Sequence, residues 1–159
     1  MRPKIHSRDE LVALLQDRRR REPDFRLVFT NGCFDLLHIG HLRYLWAARQ
    51  LGSALLVAVN DDDSIRRLKG PGRPILALAE RLELLAGFAC VDYVTSFHED
   101  TPIPLLLLLK PEILVKGGNY TLDGVVGRDE VEAYGGEVRT VALTEGRSTT
   151  SLIDRMREQ

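Results

Sequence analysis

The 159-residue chain has only two cysteines, Cys33 and Cys90, and no long uninterrupted run of apolar residues. Two cysteines argue against a disulfide framework and fit a reducing compartment. The leucine run from Leu105 to Leu109, like every other apolar run in the sequence, is far shorter than the roughly 20 residues that a membrane-spanning helix needs. The polar N-terminus lacks the apolar segment of a secretory signal. We therefore expect a cytoplasmic protein.

The sequence also has no marked excess of positively or negatively charged residues. The chain has 22 lysine and arginine residues against 23 aspartate and glutamate residues, and a net charge of −1. This balance gives no indication of a nucleic-acid or membrane partner. The length fits one domain with a sizeable core. We therefore expect residues 1–159 to form a single domain.

The first element is predicted to be a helix at about residues 8–21. Ser7 and Glu10 form a Ser-x-x-Glu capping box before a series of leucines. Residues 18–21 are four consecutive arginines, which suggest an anion site. Cations at a helix C-terminus also face the negative end of the helix dipole. We favour this second interpretation, in which the arginines stay solvated.

After this helix, apolar strand patterns alternate with helical patterns. Strands are predicted at residues 27–30, 54–59, 93–96, 113–115 and 138–143. Helices are predicted to pass through residues 42–48, 61–68, 78–86 and 129–134, with one beginning at Thr101-Pro102 and a last one capped by Ser148. This alternation is typical of an α/β protein with a Rossmann-like, doubly wound parallel sheet of about five strands, flanked by helices. Ligands of such sheets bind beyond the carboxyl ends of the strands.

A histidine pair follows the first predicted strand. His38 and His41 are three residues apart at a predicted helix start, which places both side chains on one face of the first turn. The unpaired N–H groups there favour an anion, and Gly40 allows close approach to the backbone. From the spacing alone, two ordinary surface or core histidines are equally compatible. A zinc site is a further alternative, but neither cysteine lies at a familiar metal-ligand spacing. The position after a strand favours a nucleotide triphosphate.

These residues carry a family resemblance. The turn Gly32-Cys33-Phe34-Asp35 followed by His38-Ile39-Gly40-His41 resembles the HxGH motif of the cytidylyltransferase-like nucleotidyltransferases. The segment from Phe29 to His41 and the Lys116-Gly117-Gly118-Asn119-Tyr120 loop are similar to the heptose-phosphate adenylyltransferase branch. That branch has aspartate where Asn119 stands. The sugar kinase to which the family often fuses this domain is absent, so the resemblance implies a stand-alone adenylyltransferase.

The resemblance also implies a set of site residues. The catalytic residues would be His38, His41 and Lys69. The nucleotide-binding residues would be Thr30, Asn31, Gly32, Cys33, Phe34, Asp35, Gly40, Asn60, Asp61, Arg81, Lys116, Gly117, Ser148, Thr149 and Thr150. The substrate-binding residues would be Arg73, Gly118, Asn119 and Tyr120. Taken alone, Arg81 has the pattern of a helix-surface residue, Lys69 that of a solvated cation, and Ser148 that of an ordinary helix cap.

The implied reaction is transfer of AMP from ATP to D-glycero-β-D-manno-heptose 1-phosphate, which gives ADP-heptose and pyrophosphate. Mg²⁺ is expected, held mainly by the triphosphate, with Asp35 the candidate carboxylate by position. Relatives are commonly homodimers, so a homodimer is expected.

Three alternatives remain. A CTP-dependent cytidylyltransferase for a polyol phosphate shares the chemistry, but that branch has an arginine where Leu143 stands. The His-Ile-Gly-His string also marks class I aminoacyl-tRNA synthetases, which need a second lysine-rich signature and a longer chain. A nucleotide-binding protein without activity is the third.

Overall fold

The computed structural model describes residues 4–118 and 124–142. These residues form six helices and five strands, which alternate except for two consecutive helices between the second and third strands. The helices are α1 (Arg8–Arg21), α2 (Ile39–Arg49), α3 (Asp62–Lys69), α4 (Leu78–Ala86), α5 (Ile103–Leu109) and α6 (Arg128–Ala133). The strands are β1 (Leu27–Gly32), β2 (Ala54–Asn60), β3 (Tyr93–Phe97), β4 (Ile113–Gly117) and β5 (Glu137–Val141).

The strands form one sheet in the order β3-β2-β1-β4-β5. All four pairings are parallel, and β1 pairs with β2 from Leu27 opposite Ala54 to Gly32 opposite Val59. The strands β2 and β3 therefore lie on one side of β1. The chain then crosses back, and β4 and β5 lie on the other side of β1. The predicted fold class, a five-stranded parallel α/β sheet flanked by helices, is confirmed.

Apolar side chains cover both faces of this sheet. Leu45 of α2 and Leu85 of α4 pack with the strands on one face, and Leu11 of α1 and Leu105 of α5 pack on the other. Every residue of β2 is buried, as expected for a strand covered on both faces. In the turn before β2, the backbone of Gly52 packs closely against Arg26. A Cβ at Gly52 would lie 2.6 Å from the Arg26 carbonyl oxygen.

The N-terminal segment extends the sheet edge before α1 begins. Ile5 forms a parallel bridge with Val94 of β3. Ser7 then caps α1 and makes both reciprocal contacts of a capping box with Glu10, as the sequence predicts. The Arg8 guanidinium forms an ion pair with Glu99, which ties the start of α1 to the loop after β3.

The arginine run at the end of α1 divides into two pairs. Arg20 and Arg21 are exposed and contact Asp17, in agreement with solvated cations. Arg18 and Arg19 are not simply solvated: Arg18 lies over the Phe25 ring at 4.6 Å, and Arg19 pairs with Glu112. The run therefore anchors α1 to its neighbours, and no anion site is needed to explain it.

Element boundaries differ from the sequence prediction at several ends. α5 is preceded by Pro102 rather than Thr101 as its cap, because Pro102 itself adopts a helical backbone. Strand β5 runs from Glu137 to Val141 instead of over 138–143. β1 and β2 continue through Asn31 and Asn60, since polar residues at strand ends still join the ladder after the apolar pattern stops. The predicted last helix lies outside the described residues.

Helix α2 is only partly buried along its predicted apolar pattern. Leu45 and Ala48 are fully buried, whereas Leu42 and Trp46 are 37% and 52% exposed. Within the described ranges, no helix is both long and apolar enough to cross a membrane.

Candidate active site

The crevice of this sheet lies where β1 and β4 are neighbours, because the strand order reverses between them. Ligands of open parallel sheets bind at such points, beyond the carboxyl ends of the strands. The loop after β1 leads into α2 on one face, and Lys116 and Gly117 end β4 beside it. The residues at these strand ends therefore form the candidate site.

The two histidines lie together at the start of α2. His38 is the N-cap, and its Nδ1 accepts a hydrogen bond from the Gly40 N–H at 3.1 Å. His41 Nδ1 accepts from the His38 N–H at 3.4 Å. The two ring centroids are 3.9 Å apart, so the predicted placement on one face of the first turn is confirmed.

This hydrogen bonding fixes the tautomers. Because each Nδ1 accepts, a neutral imidazole must carry its proton on Nε2, an assignment made from the hydrogen-bond network. Burial and the neighbouring His38 lower the pKa of His41 to about 4. His41 is therefore neutral at pH 7 and presents an Nε2–H donor instead of a positive charge. The Phe34 ring, 5.4 Å from the His41 ring, helps to hold it in place.

Asp35 connects the loop after β1 to the loop that follows α3. Its side chain is almost completely buried, and Oδ2 accepts from Arg73 Nε at 2.5 Å. Oδ1 accepts from the N–H groups of Ile75 and Leu76 at 2.7 and 3.0 Å. Both oxygens are thus committed to the protein. In this arrangement the carboxylate positions the loop that contains Ile75 and Leu76. A contact of Asp35 with the nucleotide or Mg²⁺ stays a prediction.

Arg81 is fully buried and is not the helix-surface residue that its pattern alone suggests. Its Nη1 donates to the carbonyl oxygens of Cys33 at 2.6 Å and Asn60 at 2.8 Å. Its Nε donates to the Leu76 carbonyl oxygen, and Nη2 pairs with Asp62 at 2.7 Å. All three guanidinium nitrogens are engaged. Arg81 therefore joins the loop after β1, the end of β2 and the loop before α4. Its nucleotide contact stays a prediction.

Three further predicted nucleotide ligands also serve the framework. Asn60 is buried and donates to Ser64 Oγ at 3.0 Å, and Asp61 caps α3 through the Ser64 N–H. Thr30 is fully buried, with its hydroxyl 2.6 Å from the Tyr44 hydroxyl. Burial and local hydrogen bonding remove the need for a nucleotide to explain these residues.

Tyr44 is a site-forming residue that the sequence interpretation missed. Its hydroxyl donates to the Val115 carbonyl oxygen at 3.1 Å, so Thr30 must be the donor in their shared contact. Burial raises the pKa of Tyr44 to about 12. This phenol connects β1, α2 and β4 beneath the histidines. The available signal was its spacing, three residues after His41 on the face of α2 that meets the sheet.

Basic side chains surround the loop after β1. Burial raises the pKa of the Cys33 thiol, while Lys69, Arg81 and Arg73 each act to lower it. Lys69, at the end of α3, and Arg73, in the loop that follows, therefore lie close enough to Cys33 to affect its thiol. Lys69 ends α3 and is exposed, and no ion pair joins it to another described residue.

The backbone beside Cys33 is tightly shaped. Phe34 has a φ of +45°, and a Cβ at Gly32 would lie 3.1 Å from its ring. Gly118 follows β4 with a φ of +135°, and its N–H donates to the Val141 carbonyl oxygen at 3.1 Å. Of the other predicted residues, Asn119, Tyr120 and Ser148 to Thr150 lie outside the described residues.

Metal ligands are not clustered in the described part of the chain. No group of three or more histidine, cysteine, aspartate or glutamate side chains there is placed to hold a metal ion.

Comparison with known proteins identifies a matching family and several similar proteins. Residues 29–155 match the cytidylyltransferase-like family. The chain is 54% identical over 153 residues to the bifunctional protein HldE of Syntrophotalea carbinolica, which covers 96% of this chain and 31% of that protein. It is 57% identical over 131 residues to HldE of Geobacter sulfurreducens, a match that covers 82% of this chain and 27% of that protein. The chain thus spans about a third of the length of these relatives.

Solved structures show the same fold. The lipopolysaccharide core biosynthesis protein of Thermoplasma volcanium GSS1 superposes with a TM-score of 0.63 at 29% identity, covering 77% of this chain and 99% of that one. A pantoate-beta-alanine ligase of Francisella tularensis has a TM-score of 0.61 at 12% identity, covering 92% of this chain and 68% of that one. At this identity the likeness shows the fold alone. Since the family match spans most of the sequence and includes the histidine pair, the chain belongs to the cytidylyltransferase-like family.

Proposed function

We propose that this chain transfers AMP from ATP to D-glycero-β-D-manno-heptose 1-phosphate, releasing pyrophosphate and forming ADP-heptose. The observation that carries the proposal is the pair of Nε2–H donors of His38 and His41 at the start of α2, beside the β1–β4 crevice. The heptose branch is supported by the Lys116-Gly117-Gly118 loop, by the HldE relatives and by the structural relative whose name refers to lipopolysaccharide core biosynthesis.

The attacking group is an oxygen of the sugar phosphate. As it bonds to the α-phosphorus of ATP, the bond from that phosphorus to the bridging oxygen breaks and pyrophosphate leaves. The attacking oxygen is already anionic at neutral pH, so no general base is required. The barrier lies in holding two anions in line, for which positioning supplies roughly 7–11 kcal/mol.

The histidines stabilise the charge that develops during this transfer. The His38 and His41 imidazoles at the start of α2 direct Nε2–H donors at phosphate oxygens, and the positive end of the helix dipole acts in the same direction. Because His41 stays neutral to about pH 4, it donates without exchanging a proton in the physiological range. Lys69, exposed at the end of α3, would add positive charge near the triphosphate.

Asp35 and Arg81 act by positioning. Arg81 fixes the Cys33 carbonyl and the Leu76 carbonyl at the same time, and Asp35 holds the N–H groups of Ile75 and Leu76. These contacts join the loop after β1 to the loop between α3 and α4, which carries Arg73. This rigid connection preserves the alignment of donors that the transfer needs.

Mg²⁺ fits this site as a metal carried by the substrate. Asp35 is engaged by Arg73, and the described residues form no three-ligand cluster. When bound to the triphosphate, Mg²⁺ would neutralise part of its charge. Homodimer formation and a cytoplasmic location are further parts of the proposal, and light scattering of the purified protein tests the first.

A pyrophosphate-release assay tests the function. Four nucleoside triphosphates are crossed with heptose 1-phosphate, other sugar 1-phosphates and glycerol 3-phosphate. Turnover is expected with ATP and heptose 1-phosphate. Turnover with CTP and a polyol phosphate, but not with ATP, would overturn the assignment in favour of a cytidylyltransferase. ATP binding without pyrophosphate release for any acceptor would indicate a non-catalytic protein.

A further inference from the structure

The two strands that border the crevice part from each other before they end. β1 pairs with β2 along its whole length. Its pairing with β4 ends where Phe29 lies opposite Leu114, whereas β4 stays paired with β5 as far as Gly117. The crevice therefore opens between residues 30–32 of β1 and 115–117 of β4, where no ladder pairing joins these two strands to set the distance between them.

The hydroxyl group of Tyr44 lies at the start of this gap. It is 2.6 Å from Thr30 Oγ1 of β1 and donates to the Val115 carbonyl oxygen of β4 at 3.1 Å. Thr30 and Val115 are the first residues of the two strands beyond their paired section. A side chain from α2 therefore connects β1 to β4 at the point where the ladder between them stops.

This phenol has no proton to offer a substrate. Its proton goes to the Val115 carbonyl oxygen, and its oxygen accepts from the Thr30 hydroxyl. Burial raises the pKa of Tyr44 to about 12, although hydrogen bonding from Thr30 and from the Gly117 backbone acts to lower it. Thr30 and Val115 are also fully buried, so water does not replace these bonds. The geometry therefore gives Tyr44 a structural role within the site and no role as an acid or a base.

Tyr44 belongs to the same helix as the two histidines. It follows His41 by three residues, and side chains at this spacing lie on one face of a helix. Its ring packs with Leu45 and Val115 in the apolar cluster between α2 and the sheet. A movement of the first turn of α2 relative to β4 would therefore have to break the hydrogen bonds of the phenol.

We propose that Tyr44 is a positioning residue that fixes the width of the crevice between β1 and β4 and thereby the placement of His38 and His41 relative to β4. This inference rests on the proposed function, because it gives that placement a role in the transfer of AMP. A displacement of about 1 Å in an active site can lower the rate roughly a hundredfold. Tyr44 does not contact the reacting atoms and acts through the histidines.

Two tyrosine-to-phenylalanine variants test the proposal in the pyrophosphate-release assay. Tyr44→Phe keeps the ring and removes the hydroxyl. Tyr134→Phe is the matched control, because Tyr134 also donates to a main-chain carbonyl oxygen at 3.1 Å, that of Pro111, just before β4 begins. Both variants should have a lower Tm, since each leaves a carbonyl oxygen without its donor.

Only Tyr44→Phe is expected to lower kcat, by roughly ten- to a hundredfold, with a smaller change in KM. The reason for this split is that displaced donors still bind the substrate phosphates but no longer fit the transition state. Equal kcat values in Tyr44→Phe and Tyr134→Phe would overturn the proposal.

Titration of His41 by NMR provides a measurement that needs no reaction. Burial is the main cause that lowers the pKa of His41 to about 4, and a looser first turn of α2 would admit water to the imidazole. The pKa is expected to rise towards 6.5 in Tyr44→Phe and to stay unchanged in Tyr134→Phe. The same pKa in both variants would contradict the proposal. A rise in Tyr44→Phe alone, without pyrophosphate release by the wild type for any acceptor, would refute the proposed function but support the placement of α2 by Tyr44.

The unaltered protein gives a further test that does not depend on the folding of a variant. Proton NMR should show a slowly exchanging Tyr44 hydroxyl proton, with nuclear Overhauser contacts to Thr30 and to the Gly117 amide. A Tyr44 hydroxyl proton that exchanges freely with water would show that the phenol does not connect the two strands.

Discussion

Asp35 and Arg73 form an ion pair between residues that are 38 positions apart, with Arg73 Nε 2.5 Å from Asp35 Oδ2. The acceptor side of this pair is almost fully buried and also receives two backbone N–H groups, from Ile75 and Leu76. One carboxylate thus fixes the loop that carries the basic residues against the loop that precedes the histidines.

Asp35→Asn is expected to loosen this connection. The amide keeps the size of the side chain but loses the charge, which should lower the free energy of unfolding by about 1–3 kcal/mol. Hydrogen exchange at the amides of Ile75 and Leu76 should accelerate, and the KM values in the pyrophosphate-release assay should rise. Asp63→Asn, which alters an exposed pair with Arg66, serves as the control. Unchanged exchange at Ile75 and Leu76 would show that the carboxylate does not hold the loop.

Arg81→Leu is expected to destabilise the protein strongly. The substitution leaves the buried carbonyl oxygens of Cys33 and Asn60 without their donor and removes the partner of Asp62. Breaking a buried pair of this kind costs about 3–5 kcal/mol, visible as a large fall in Tm. Arg66→Leu, at an exposed position, should change Tm little. A melting curve for Arg81→Leu that matches the control would refute the framework role.

His38→Ala and His41→Ala are each expected to reduce kcat by about a hundredfold or more, because each removes an Nε2–H donor aimed at developing charge. Pyrophosphate release under saturating substrates is the measurement. His98→Ala alters a histidine that is three-quarters exposed and should leave turnover unchanged. Near-normal kcat in His41→Ala would remove this residue from the mechanism.

His41 should also make stability depend on pH. The folded protein keeps it neutral to a pKa of about 4, whereas the unfolded chain binds the proton at its ordinary pKa of 6.5. The free energy of unfolding therefore decreases as the pH falls from about 6.5 to 4, by about 3 kcal/mol. His41→Asn should lose this contribution, so the difference between the two denaturation profiles isolates it from carboxylate titrations. Profiles that stay parallel over this range would contradict the pKa of His41.

The pKa of Lys116 near 8 predicts that kcat/KM falls as the pH rises through that value, because the free enzyme loses its positive charge. Lys116→Arg should keep its charge and remove this decline. Cys33 is the titrating group that interacts with Lys116, so Cys33→Ser should retain the decline. If Lys116→Arg declines at the same pH as the wild type, another group controls the profile.

The fold was predictable from the sequence because its signals are local. Apolar runs such as residues 54–59 indicate buried strands, and the Ser7–Glu10 capping box indicates a helix start. The placement of His38 and His41 was predictable for the same reason, since three-residue spacing at a helix start determines the shared face.

The roles of Arg81, Asp35 and Thr30 were not predictable in the same way. Arg81 occupies a helix position with the pattern of a surface residue, but Cys33, Asn60 and Leu76 supply three carbonyl acceptors to it. Two of these, Cys33 and Asn60, are distant in sequence. Asp35 and Thr30 are polar residues beside a motif, which favours a ligand role. Their actual partners, Arg73 and Tyr44, come from other elements, and only the tertiary structure brings them together.

Trp46 is placed to serve as an intrinsic fluorescence probe of ligand binding. It is the single tryptophan of the chain, and its side chain is half exposed on α2, five residues after His41. Because indole emission responds to polarity and quenching, ligand arrival at the start of α2 should be readable from intrinsic fluorescence alone. Titrations of nucleotides and sugar phosphates can then be followed without attaching any dye.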